Sequence, residues 1–309
     1  MLDPSVIYEV DEDVAADLVR RSDELAGTGP VLIHAVHGFV DAGGTGQVAM
    51  THLQDRFTSR RLVTFDVDQL IDYRSRRPLM VFDVTTWGSY ADPELVVDVV
   101  ADAAGRQFLL LHGAEPDLQW ERYVAAVRQL VERFDVPLTV GIHGIPMGIP
   151  HTRPLSVTAH GTRPELVADF PSWFGTAQVP ASASSLLELR LGQSGHDAMG
   201  FAVHVPHYLA QSPFPQASIT ALRAVERTTG LELDVTALEK AAADAREEID
   251  RQVDSSVEVE AVVRALEQQY DSYTPGGVRS NLLSGSTPLP TADELGAEFE
   301  RFLAQQPEE

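Results

Sequence analysis

The stretch Val31-Leu-Ile-His34-Ala-Val-His37-Gly38-Phe39-Val40-Asp41-Ala42-Gly43-Gly44-Thr45-Gly46 decides how this chain is read. Val31 to Phe39 reads as a buried strand, and the pattern from Thr45 to Phe57 reads as a helix. Between them lies a glycine-rich turn. A helix that opens this way leaves backbone amides without intrahelical partners, and its dipole adds partial positive charge there. The turn is therefore either an anion site or a tight bend that needs glycine for its backbone geometry. Asp41 bears on both readings: its carboxylate competes with a phosphate, or it caps the turn through its own side chain. No Gly-Lys-Ser/Thr follows, so this is not a P-loop, and the Gly-x-Gly-x-x-Gly spacing is absent.

Outward from this stretch, apolar runs alternate with helical patterns. Leu62 to Val67 predicts a second strand and Leu79 to Val84 a third. Asp92-Pro93 is a helix-start signal, which predicts a helix from Asp92 to Ala104. Phe108 to Leu111 reads as a strand, Leu118 to Phe134 as a helix and Leu138 to Ile142 as a fifth strand. A proline-dense loop, Pro146 to Pro154, leads to strands at Leu155 to Ala159, Leu186 to Leu191 and Gly200 to Val205. A helix from Pro213 to Thr229 follows. Strands apolar on both faces, alternating with helices, predict a three-layer α/β/α domain over residues 1–229 with a mainly parallel sheet.

The pattern changes after Gly230. Thr236 and Glu239 are spaced as a capping box, as are Ser255 and Glu258, with a break at Asp254-Ser255-Ser256 between them. Leu238, Ala242, Ala245 and Ile249 form one apolar stripe, and Val259, Val263, Leu266 and Tyr270 form another. Residues 230–273 therefore read as a helical hairpin projecting from the core; the alternative is a single long helix, whose seam Gln252 and Ser256 would interrupt. Residues 274–309 read as a flexible Gly/Ser/Pro linker with a short acidic helix at Thr291 to Leu303.

The chain has 309 residues, of which 44% are hydrophobic, enough for a sizeable core. Its 46 acidic residues outnumber 23 basic ones, a formal charge of -23. Such a field repels phosphate backbones and anionic lipid, so neither nucleic acid nor a membrane surface is an expected partner. The absence of cysteine excludes disulfides, thiol nucleophiles and cysteine–zinc sites. The acidic start, Met1 to Asp13, has no apolar signal core, and no apolar run approaches the roughly 18 residues of a membrane span. A cytoplasmic location is the expectation.

Tyr73-Arg74-Ser75-Arg76-Arg77-Pro78 places three guanidiniums in four residues of this acidic protein. Forked guanidiniums suit phosphate, carboxylate or the acidic side chains of a neighbouring subunit. A surface ion-pair network is the plainer reading. His143 and His151 flank the proline-dense loop and are candidates to line a pocket with Asp41, Gly43, Gly44, Thr45, Arg74, Arg76 and Arg77. Structural histidines are the competing reading. His34 and His37, and His204 and His207, are spaced so that a strand sends each pair to opposite faces. No metal signature and no Gly-x-Ser-x-Gly elbow is present. The only lysine, Lys240, lies in a charged helix, a poor position for Schiff-base chemistry. No catalytic residue is assigned, and no cofactor or metal is expected.

Four motifs occur in order: Gly38-Phe-Val-Asp-Ala-Gly43, Tyr73-Arg-Ser-Arg-Arg-Pro78, Leu111-His-Gly-Ala-Glu-Pro-Asp117 with Trp120, and Gly144-Ile-Pro-Met-Gly-Ile-Pro-His-Thr-Arg-Pro154. Over Ile7 to Tyr273 the chain resembles the proteasome assembly chaperone 2 family, in its bacterial, actinobacterial-type branch. The resemblance implies a phosphorylase/hydrolase-like α/β/α fold and a chaperone-like role with proteasome α-subunits as partners. It carries over no catalytic residue. The chain ends Gln306-Pro307-Glu308-Glu309, without the hydrophobic-Tyr-any tripeptide that some relatives use, so docking by that route is not expected and binding through another surface is left open.

Two functions follow as expectations. The first is a non-enzymatic, homo-oligomeric binding protein, built partly through the hairpin. The second is a phosphorylase/hydrolase-like enzyme that binds a small anionic ligand at the Gly43 turn and the Arg74–Arg77 cluster.

Overall fold

The computed structural model of the chain describes residues 2–24, 29–171 and 175–272. The linker and acidic helix expected over 274–309 lie outside the described residues. The strands are β1 (Tyr8–Val10), β2 (Leu32–His37), β3 (Ser59–Phe65), β4 (Met80–Asp83), β5 (Thr86–Tyr90), β6 (Leu95–Ala101), β7 (Gln107–Ala114), β8 (Thr139–Met147), β9 (Val157–Gly161) and β10 (Ala198–Pro206). The helices are α1 (Glu12–Glu24), α2 (Thr45–Arg56), α3 (Trp120–Arg133), α4 (Ala183–Gln193), α5 (Pro215–Thr229), α6 (Thr236–Asp254) and α7 (Val257–Ser272).

Eight strands form one sheet in the order β1-β3-β6-β7-β2-β8-β10-β9. Its centre, β7-β2-β8-β10, is parallel. The β1–β3, β3–β6, β6–β7 and β10–β9 pairs are antiparallel. Strands β2, β3, β7, β8 and β10 therefore run one way and β1, β6 and β9 the other. Neighbouring residues on a strand enter opposite cores. Leu32, Leu109 and Leu111 pack with Leu18 of α1, Tyr123 of α3 and Leu187 of α4. Ile33, Leu110 and Phe201 pack with Met50 and Leu53 of α2, Leu222 of α5 and Leu238 of α6. Helices on both faces explain why β10 is buried along its whole length. This is the three-layer α/β/α architecture expected from the pattern.

Three elements differ from the sequence reading. The segment expected as a helix over 92–104 contains strand β6. Four valines in Leu95-Val-Val-Asp-Val-Val100 favour the extended backbone, and pairing with β7 buries them on both faces. The turn after it is tied by Asp102, whose Oδ1 accepts the amides of Ala104 and Arg106. The run expected as a strand over 186–191 lies inside α4. Its alternating leucines mimic a strand, yet Leu187 and Leu191 share the buried helical face while Leu189 is exposed. Ser182 caps this helix and exchanges hydrogen bonds with Ser185. The run 79–84, read as a core strand, forms β4, which pairs only with β5 in a separate two-stranded ribbon.

The hairpin breaks between α6 and α7 as expected, but its caps are shifted by residue. Asp234, not Thr236, accepts the Thr236 amide and hydroxyl at α6, and Ser256, not Ser255, accepts the Val259 amide at α7. Leu238 and Ala242 are buried in the same core as α5. Farther out, the hairpin holds the proline-dense loop: Arg153 pairs with Glu267 and Asp271, and the Tyr270 hydroxyl donates to the Pro154 carbonyl.

Candidate functional site

The glycine-rich turn, the arginine cluster and the proline-dense loop meet at the C-terminal ends of the central strands, where open α/β sheets keep their ligand crevices. β2 ends at His37, β7 at Ala114 and β8 at Met147. The turn after β2 carries Asp41 back over the start of α2. One carboxylate oxygen of Asp41 accepts the amides of Gly46 at 2.8 Å and Gly144 at 3.0 Å, and the other accepts Gln47 at 3.1 Å. The amides that an anion would use are thus engaged by the protein's own carboxylate. Burial pushes the Asp41 pKa up, while the three amides act against that rise.

The surrounding residues fix this geometry. Gly43 sits at φ 68°, donates its amide to Ala210 and accepts from Phe214. A side chain there would meet Phe214 and Val205 at 3.1 and 3.2 Å. The Thr45 hydroxyl donates to Ala42, and Thr45 is fully buried. A Cβ on Gly144 would lie 2.1 Å from the Ala42 carbonyl, so β8 approaches the turn only because that residue is glycine. Gly44, also at positive φ, closes the turn by donating to the Asp41 carbonyl.

The three arginines are not equivalent. Arg76 donates to the carbonyls of His37 and Glu115 and pairs with Asp117 at 2.7 Å. It ties the arginine loop to the ends of β2 and β7. The side chains of Arg74 and Arg77 are exposed and have no ion pair or hydrogen bond among the described residues. Glu115 was not singled out by sequence reasoning. Its buried carboxylate accepts the amides of Phe39 and Ala183, joining the β2 turn to the start of α4. Its place in the motif Leu111–Asp117 was the signal that could have found it.

The two candidate histidines do not share a pocket. His143 stands on β8 with its ring 6.1 Å from that of His160 on β9. In the register of the four strands, His34, Gly141, Gly200 and His160 form one row across the α4 face. The two glycines make room for the rings: a Cβ at Gly141 would lie 2.8 Å from His34, and one at Gly200 2.4 Å from His160. Glu188 of α4 closes the row on His160 at 2.8 Å. Burial lowers the pKa of His34, His143 and His204 to about 4 in each case. His151 instead joins the hairpin. Its Nδ1 lies 2.6 Å from the Tyr208 hydroxyl and its Nε2 3.0 Å from Asp250. Arg246 binds both Asp250 and the His151 carbonyl. Among the described residues, no group of three His, Asp or Glu side chains is placed to hold a metal ion, and no helix is long and apolar enough to cross a membrane.

Solved structures share the fold. The structure matches the Mycobacterium tuberculosis protein Rv2714, of unknown function, at 42% identity and a TM-score of 0.81, over 96% of this chain and 92% of that one. It matches a protein of unknown function from Corynebacterium glutamicum at 39% identity and a TM-score of 0.79, over 86% of this chain and 97% of that one. At 23% identity the Mycobacterium tuberculosis proteasome-assembly chaperone homologue Rv2125 shares the fold, with a TM-score of 0.69 over 75% of this chain and 99% of that one. No functionally curated protein matches the chain. A model of the PAC2 family matches residues 35–253, across both the Asp41 turn and the proline-dense loop, and the chain belongs to that family.

Proposed function

We propose that this protein is a non-enzymatic, chaperone-like binding protein of the cytoplasm that works as a homo-oligomer and engages proteasome α-subunits. One observation carries the reading. At the sheet end where α/β enzymes keep a ligand crevice, the helix amides are held by Asp41 and the central guanidinium by the protein's own carbonyls and Asp117. These groups stabilise the scaffold and are not free to receive a substrate. Membership of the PAC2 family and the shared fold with a proteasome-assembly chaperone homologue supply the partner class.

Light scattering coupled to size exclusion tests this reading, with the protein alone and mixed with proteasome α-subunits from the same source. A stable mixed complex is the expected result. A homo-oligomer that elutes apart from the α-subunits at micromolar concentration would remove them as the partner. The alternative, an enzyme with an anionic ligand at Gly43 and the arginine cluster, requires Asp41 to give up three amides. Only Arg74 and Arg77 remain free to serve it.

A further inference from the structure

Four histidines, His34, His143, His160 and His204, share the α4 face of the sheet, on the opposite side from α2. His34 of β2 lies over Gly141 and His160 of β9 over Gly200, and these two glycines pair in register in β8 and β10. Glycine inside a strand weakens it and marks a close approach. Here both approaches are made by imidazole rings. His143 follows Gly141 on the same face, with its ring 6.1 Å from that of His160. The cluster runs from solvent to interior: the His160 side chain is 40% exposed, that of Glu188 17%, and His34 is 4% exposed. Buried polar side chains are as a rule hydrogen-bonded. His204 obeys the rule, because its Nε2 lies 2.8 Å from the Thr158 hydroxyl. His34 and His143 do not: neither has a hydrogen-bond partner among the described residues. His160 turns Nδ1 to Glu188 at 2.8 Å, which leaves Nε2 of the neutral ring with its lone pair.

We infer that this cluster is a binding site separate from the Asp41 turn, and that its ligand is a small molecule carrying a primary ammonium group. The groups on offer decide the ligand. His34, His143 and His160 present imidazole lone pairs, backed by the Glu188 carboxylate. Burial holds His34 and His143 neutral at ordinary pH, and the charges that bear on them are those of neighbouring imidazoles, not of a guanidinium. An ammonium has three N–H donors and no acceptor, so three lone pairs answer it. An anion would face lone pairs and a carboxylate, and is repelled. A metal ion needs its ligand nitrogens about 2.0–2.1 Å from one point, and no three groups among the described residues meet that condition. Hydrogen bonds of about 2.7–3.2 Å accept the wider spacing. The field of a chain with net charge -23 draws cations to its surface, and Glu188 balances the bound charge through His160. The exposed edge of His160 is the way in.

The test is calorimetry on the full chain with n-propylamine as the probe, in a buffer free of primary amines, with tetramethylammonium as a cation that has no N–H donor. Propylamine is expected to bind one to one and tetramethylammonium not to bind. No heat with propylamine up to about 10 mM overturns the inference. Equal binding of the two cations also overturns it, because surface charge alone would then explain the heat. His160→Phe keeps a ring in place and is expected to weaken propylamine binding at least about tenfold, with Glu188→Gln weakening it less. An affinity unaltered in His160→Phe overturns the site. If that variant does not fold, histidine ring NMR on the wild type carries the test. The His143 and His160 resonances are expected to move on addition of propylamine while those of His151 stay, and unmoved His143 and His160 resonances overturn the site. Stoichiometric uptake of Zn²⁺ that is lost in His160→Phe would make the cluster a metal site and overturn the amine. Binding of proteasome α-subunits is measured without amine, so this site and the proposed function fail separately.

Discussion

The turn after β2 and the ribbon β4–β5 invert each other. The turn has the chemistry of a binding site, namely helix-start amides, a carboxylate and clustered arginines, and directs most of it inward. Asp41 takes the amides, and Arg76 takes the carbonyls of His37 and Glu115. The ribbon has the composition of a core strand and lies wholly exposed. A motif's residue types say what chemistry is available. Whether that chemistry is already satisfied depends on contacts made from distant parts of the chain.

The largest effect that separates the two regions comes from glycine. Gly144→Ala is expected to destabilise the protein by more than about 3 kcal/mol or to prevent folding, because the new Cβ would lie 2.1 Å from a backbone carbonyl that cannot retreat. Gly88→Ala in the ribbon meets its nearest atom at an ordinary 3.6 Å and is expected to leave the denaturation midpoint unchanged. Equal costs would mean that the turn is not the rigid member of the pair.

Asp41→Ala comes next. It leaves the amides of Gly46, Gln47 and Gly144 without their acceptor, at a cost of about 3 kcal/mol in urea unfolding. Phosphate at constant ionic strength is expected not to raise the wild-type Tm. If it raises the Tm of the alanine variant alone, the turn is an anion site that Asp41 occupies. If it stabilises the wild type, the comparison between the regions fails.

Acid acts on the buried histidines of the sheet. Burial holds His34, His143 and His204 near a pKa of about 4, against an ordinary 6.5. The unfolded chain therefore takes up these protons first. The stabilising contribution is complete above about pH 6.5 and is lost as pH falls toward 4. For His34, 4% exposed, the loss is roughly 2 kcal/mol by about pH 4.5. The raised Asp41 pKa works in the opposite sense and offsets part of it. A flat stability profile between pH 6.5 and 4.5, measured by urea unfolding, would show that these imidazoles are hydrated. The smallest contrast lies within the arginine cluster. Arg76→Ala is expected to cost about 1–2 kcal/mol through its lost carbonyl and Asp117 bonds, and Arg77→Ala less than about 0.5 kcal/mol.

Much of the fold was legible because local pattern and burial agree in the parallel centre. Strands β2, β7, β8 and β10 are apolar on both faces, and that alone calls for helices on both sides. Pattern and fold diverge where two periodicities coincide in a short apolar run. Leu95–Val100 carried a helix-start signal before it, and the leucines of α4 alternate like a strand. In the site, the residues of the turn were legible and so was the double meaning of Asp41. Glu115 was not, because a lone acid in a loop has no periodicity to mark it.

The sequence by itself determined the three-layer class, the glycine turn between β2 and α2, the break between α6 and α7, and the acidic, cysteine-free chemistry of the chain. These follow from composition and from residues close in the chain. Only the tertiary structure decided that Asp41 reaches Gly144, that Arg76 and not Arg74 or Arg77 is committed, that His143 and His151 part company, and that Leu79–Tyr90 lies outside the core. Each of these depends on partners from tens to more than a hundred residues away, and hydrogen bonding and burial at that range are set by packing and not by local pattern.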